Sequence, residues 1–208
     1  MRLLVFLVRA SALILALAAS SVFAAAERTL LVFGDSLSAA YGISPPQGWV
    51  ALAAARVRAP WKIVNASISG ETTAGGVRRL PEDLKRNKPA VVVIELGAND
   101  ALRGQPIAAI RANLEKMISL TREARAEPVL VGLMIPPNYG IEYASEFRDL
   151  FAALARKHKI AFVPFLLQSV ADRRELFQAD QVHPTAEAQP MILDNVWPAI
   201  SEAMKKAR

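Results

Sequence analysis

The sequence predicts a doubly wound α/β domain, a five-stranded parallel sheet covered by helices on both faces. Three observations predict it. Short apolar runs alternate with longer amphipathic ones from residue 29 onward, the pattern of β/α units. The third run, 90–96, is nearly all Val and Ile, as a strand buried on both faces should be. With 208 residues and 53% of them hydrophobic, the chain suits one domain with a full core and leaves little room for a second.

Taken in order, residues 1–26 read as an export signal. Arg2 and Arg9 supply positive charge, residues 10–19 an apolar stretch, and Val22-Phe23-Ala24-Ala25-Ala26 small-residue cleavage options. The apolar stretch after Arg9 is short against the roughly 20 residues of a spanning helix, so no stable membrane insertion is expected after cleavage. The mature domain is then 27–208, in the periplasm or secreted. Five strands follow, at 29–33, 62–65, 90–96, 128–135 and 160–163, with helices in the gaps. Ile107, Ile110, Leu114, Met117, Ile118 and Thr121 mark one helical face. Phe147, Leu150, Phe151 and Leu154 mark another, and Leu193, Val196, Trp197, Ile200 and Met204 a third. The prolines at 45–46 and 136–137 fall in loops after strands and are too few to separate domains.

Composition removes several function classes. The chain has no cysteine, which excludes a disulfide, a thiol nucleophile and a lipidated-cysteine anchor. With two histidines besides, neither a cysteine-rich nor a histidine-rich metal set can be assembled, and no cofactor is expected. Formal net charge is +6, two units fewer once Arg2 and Arg9 are removed. Lys and Arg are scattered, with no basic stripe interleaved with aromatics, so nucleic acid is not an expected partner.

The chemistry gathers at strand ends, where doubly wound sheets bind ligands. Leu30-Leu31-Val32-Phe33-Gly34-Asp35-Ser36 is an apolar run that stops at a presented hydroxyl, and Ser36 is read as a nucleophile. It does not match the Gly-x-Ser-x-Gly nucleophile elbow, because Ser38 stands where the second glycine belongs. Two histidines are available as bases. His183, in Asp180-Gln181-Val182-His183-Pro184, has an acid three residues upstream to orient its ring, whereas His158 ends a helix, where a basic side chain suits the helix dipole. Gly70, after the second strand, lets a backbone N–H approach a ligand without a Cβ in the way. Asn99, after the third, offers a neutral carboxamide donor to a developing negative charge.

Gly34-Asp35-Ser36-Leu37-Ser38, Gly70, Gly97-Ala98-Asn99-Asp100 and Asp180-Gln181-Val182-His183-Pro184 together resemble the four sequence blocks of the GDSL, or SGNH, hydrolases. Asn65 to Gly70, Leu102-Arg103-Gly104, Pro136-Pro137-Asn138-Tyr139-Gly140 and Ala188-Gln189-Pro190 resemble the bacterial periplasmic thioesterase, arylesterase and lysophospholipase branch of that family. The resemblance implies a flavodoxin-like three-layer α/β/α fold. It implies Ser36 as nucleophile, Asp180 and His183 as its partners, and an oxyanion hole of the Ser36 N–H, the Gly70 N–H and the Asn99 side chain. Ala98 and Ala101 stand where the branch usually has glycines, which stiffens the loop after Asn99. Ile135 and Pro136, at the same sheet edge, are expected to line the acyl chain. The substrate expected is a small acyl ester or thioester, or a lysophospholipid, taken by a monomer. The rival readings are an acetyl esterase acting on carbohydrate and a non-catalytic lipid carrier; the three tryptophans, Trp49, Trp61 and Trp197, form no evident sugar platform.

Overall fold

The computed structural model describes residues 26–207, so the export signal read at 1–26 lies outside the described residues except for Ala26. The strands are β1 (Arg28–Gly34), β2 (Trp61–Asn65), β3 (Val91–Glu95), β4 (Glu127–Val131) and β5 (Ala161–Val163). All pair in parallel, in the order β2-β1-β3-β4-β5. β1 and β3 are buried along almost their whole length, which is why they are written in Leu, Val and Ile.

Among the described residues there are six α-helices. They are α1 (Trp49–Arg56), α2 (Thr73–Asn87), the short α3 (Ala98–Leu102), α4 (Ile107–Glu123), α5 (Ile141–His158) and α6 (Gln189–Lys206). α1 packs beside α6, while α2 packs on α4 and α4 on α5, giving the three-layer α/β/α arrangement. The predicted stripes are the buried faces: Ile110, Leu114, Met117, Ile118 and Thr121 of α4, with Ile107 half-buried at its start, and Phe147, Leu150, Phe151 and Leu154 of α5. In α6 the buried set is Ile192, Leu193, Val196, Ile200 and Ala203, with Trp197 and Met204 half-buried at its margin.

One strand ends earlier than its sequence suggests. The apolar run was expected to continue as strand to residue 135, but β4 stops at Val131. Gly132 still donates its N–H to Val163 O (2.8 Å) while its own carbonyl accepts from Leu166 N (2.9 Å), so the chain bends away with β5. Leu133, Met134 and Ile135 are apolar because they leave the sheet to build its carboxyl-end edge, where alternation of faces no longer applies.

Strand order reverses between β1 and β3, which puts the loops after these strands side by side at the carboxyl end, where α/β sheets bind ligands. Val32 stands in register with Asn65 on one side and Val93 on the other, and Gly34 with Glu95. The Ser36, Gly70 and Asn99 loops therefore leave the sheet at similar heights.

Candidate active site

Ser36 lies in a succession of tight turns after β1, pinned by Ala39 N–H to Asp35 O (2.9 Å) and Tyr41 N–H to Ser36 O (3.3 Å). Its Oγ is 2.9 Å from His183 Nε2, and His183 Nδ1 is 2.7 Å from Asp180 Oδ2. The second Asp180 oxygen accepts the N–H groups of Val182 (2.9 Å) and His183 (3.0 Å). These bonds, the His183 amide first, hold the Asp180 carboxyl down at about 2. The 180–183 turn is itself anchored: Gln178 N–H donates to His183 O (2.8 Å), Thr185 N–H to Leu176 O (2.7 Å), and Phe177 bridges Pro184. The Tyr41 ring lies 4.4 Å from the imidazole and backs it from the opposite loop.

Asn99 follows the positive-φ Gly97 at the start of α3. Its Nδ2 donates to Asp35 Oδ2 (3.0 Å) and to Glu71 O (3.1 Å), so the carboxamide joins the Ser36 turn to the Gly70 loop. Gly70 has φ +78°, a backbone that side chains rarely adopt, and its carbonyl accepts from Arg103 Nη2 (3.3 Å). Neither the Ser36 nor the Gly70 amide is committed to a protein acceptor among the described residues. The Gly70 loop is braced from behind by Arg79, which reaches Glu71 (3.1 Å), Ala66 O (2.8 Å) and Asp83 (2.7 Å) while lying over the Phe33 ring.

A cleft of about 560 Å³ opens on Ser36, Asn99 and His183, with mainly apolar walls. Ile135 and Pro136 line it, joined by Met134, Pro137 and Tyr139 on one side and by Phe177 and Val182 on the other. Trp49, Trp61 and Trp197 do not line it. His158 ends α5, far from the cleft in the topology, with Glu115 3.8 Å from its Nε2.

The model of the GDSL-like Lipase/Acylhydrolase family matches residues 32–189, a span that contains Ser36, Gly70, Asn99, Asp180 and His183. This chain belongs to that family. It is 48% identical over 179 residues to Esterase TesA of Pseudomonas aeruginosa, covering 85% of this chain and 89% of that protein. It is 39% identical over 171 residues to Thioesterase 1/protease 1/lysophospholipase L1 of Escherichia coli, covering 82% of each. The crystal structure of TesA matches with a TM-score of 0.81 at 47% identity, over 85% of this chain and 99% of that one. The psychrotrophic esterase EstA from Pseudoalteromonas sp. matches with a TM-score of 0.80 at 37% identity, over 86% and 100%. The chain is an ester hydrolase of the GDSL family.

Two carboxyl groups beneath the site go beyond what the sequence singled out. Glu95, the last residue of β3, is fully buried; its Oε2 accepts from the Ser38 hydroxyl (2.7 Å) and the Asp35 amide (3.3 Å), while Oε1 has no partner. Burial, reinforced by the charge of Asp35, pushes its carboxyl well above the usual carboxylate range. Asp35 accepts from Leu37 N (3.0 Å) and from Asn99, and burial raises it to about 6 against those bonds and the nearby His183. The signal for Glu95 was a carboxylate inside a run of Val and Ile. Tyr41 and Arg79 carried no comparable signal, since an aromatic in a turn and an arginine on a helix are ordinary.

Proposed function

We propose that the protein hydrolyses medium to long acyl esters, thioesters and lysophospholipids through an acyl-enzyme on Ser36. The observation that carries this reading is the chain from Ser36 Oγ through His183 to Asp180, opening on an apolar cleft. His183 Nε2 takes the Ser36 proton as Oγ attacks the acyl carbonyl, and the Ser36 and Gly70 amides with Asn99 Nδ2 stabilise the oxyanion. The imidazolium then protonates the departing alcohol or thiol. Water enters, gives its proton to His183 and attacks the ester carbonyl, and Ser36 recovers its proton as the carboxylic acid leaves.

Substrate class follows from the cleft walls and from the relatives' names, which include arylesterase, thioesterase and lysophospholipase. An acetyl group needs no apolar cleft of this size, and the walls are mainly apolar where a carbohydrate would want many polar partners. We infer further that the domain 27–208 acts as an exported monomer, released from its signal in the periplasm or outside the cell. No helix among the described residues is long and apolar enough to cross a membrane.

The test is hydrolysis of p-nitrophenyl esters from acetate to palmitate by the protein from residue 27, beside Ser36→Ala. The expected result is turnover favouring longer chains, reduced at least about 10³-fold in the variant. An acetate-only profile would move the reading to a carbohydrate deacetylase, and bound fatty acid without turnover to a carrier.

A further inference from the structure

The large hydrophobic side chains exposed among the described residues are Tyr41, Ile68, Met134, Tyr139, Ile141 and Val182, with Ile141 the most exposed at 78%. They are not scattered. Met134, Tyr139 and Val182 form the rim of the cleft, and Tyr41 leans on His183 with its ring tilted by 41°. Ile68 lies in the Gly70 loop, and Ile141 shares a shallow groove with Met134 just outside the cleft. Five of the six thus stand around one mouth, while Ile68, at the same carboxyl edge of the sheet, faces a neighbouring groove bordered by Arg79 and Arg86. The outer helix faces carry ion pairs instead, such as Arg86–Glu82 on α2, Lys157–Glu115 between α5 and α4, and Lys206–Glu202 on α6.

Arginines border the same ring. Arg103 donates to Gly70 O beside Ile68, and Arg174 approaches the Gln181 carboxamide next to Val182. Neither forms an ion pair among the described residues, and both side chains are exposed. Arg148 lines the Ile141 groove but is paired with Asp149. Of the acids nearby, Asp180 is spent on His183 and Glu175 on Arg173, leaving Glu142 beside Ile141 and Asp172 beside the cleft residue Ala171 as counter-charges.

We propose that this ring docks the enzyme on an anionic phospholipid bilayer with the cleft mouth facing the lipid. An apolar rim that includes two tyrosines suits the boundary between headgroups and acyl chains, and the unpaired arginines suit lipid phosphates. An apolar patch around a site mouth marks contact with a surface rather than with water. Docked in this way, the cleft takes an amphiphile from the leaflet without moving its acyl chain through solvent. The proposal rests on the lysophospholipid reading above, from which it is separable by experiment.

The test is flotation of the protein from residue 27 with vesicles of phosphatidylglycerol and phosphatidylethanolamine, against vesicles of phosphatidylcholine, at low and high salt. Ile141→Asp, outside the cleft, is compared throughout. The expected result is binding to the anionic vesicles that weakens with salt. Ile141→Asp should lower it about tenfold, since burying one large aliphatic side chain is worth about that factor. Turnover of p-nitrophenyl butyrate in solution should not change, which shows that the variant folds. Absence of vesicle binding, or equal binding by Ile141→Asp, overturns the docking, as does a dimer that buries the ring. Lysophosphatidylcholine supplied as monomers separates the two readings. Its turnover without vesicle binding overturns the docking alone, and vesicle binding without its turnover overturns the lysophospholipid reading alone.

Discussion

Asp180 receives three hydrogen bonds on two oxygens, and their arrangement sets what a substitution there must do. Oδ1 faces the Val182 and His183 amides, and Oδ2 faces His183 Nδ1. In Asp180→Asn the remaining oxygen is claimed by the two amides, so the new NH₂ turns toward Nδ1. The ring then accepts there and carries its proton on Nε2, where it cannot take one from Ser36. We expect kcat to fall about 10²- to 10⁴-fold with KM little changed, measured on a p-nitrophenyl ester with the melting curve as control. Asn99 poses a different problem, because both Nδ2 hydrogens are already engaged, at 3.0 Å with Asp35 and 3.1 Å with Glu71. An oxyanion must share one of them. Asn99→Ala removes the donor and should cost about 10²- to 10³-fold in kcat. Asn99→Asp should be worse, since it sets a second carboxylate against Asp35 and toward the developing charge.

At the scale of elements, the same packing that made the sheet readable made its edge unreadable. Parallel strands buried on both faces must be apolar throughout, so β1 and β3 stand out as runs. Met134 and Ile135 extend such a run for another reason, the lining of a cleft, and no local signal separates the two. Ser36, Asn99 and His183 were legible because each is a polar residue in a short segment with its own turn chemistry. Glu95, Arg79 and Tyr41 were not singled out, because their roles exist only across the fold: Glu95 meets Ser38 from 57 positions away. The end of β4 yields its own prediction. A Cβ on Gly132 would lie 2.2 Å from Pro164 O, a backbone atom that cannot swing aside. Gly132→Ala must therefore part β4 from the turn after β5, weakening the 2.8 Å bond to Val163 O. The expected loss is about 1–3 kcal/mol in urea unfolding.

For the molecule as a whole, the buried carboxyl pair under the nucleophile turn shapes how stability depends on pH. Asp35 is 1% exposed and raised from 3.8 to about 6, so between those values the folded state holds a proton that the unfolded chain has released. Its contribution is fully present below pH 3.8 and lost as pH rises through 6, a decline of roughly 3 kcal/mol. Glu95, raised well above its ordinary 4.5 by burial, acts in the same direction. Asp180, lowered to about 2, has the opposite sign: its stabilisation is present above 3.8 and lost as pH falls toward 2. These three groups together favour the fold most near pH 4 and weaken it toward neutrality. Glu95→Gln separates their effects. The amide oxygen can still accept from Ser38 and from the Asp35 amide, while the NH₂ takes the place of Oε1, which has no partner to lose. The variant carries no ionisable group at position 95 and keeps only Asp35 at the buried site, so its advantage over wild type should be absent below pH 4.5 and grow as pH rises. Melting at pH 4, 6 and 8 checks this: we expect similar Tm values at the lowest pH and a gain of several degrees for Glu95→Gln at the highest. A gap independent of pH would mean that Glu95 is not the group whose proton the fold retains.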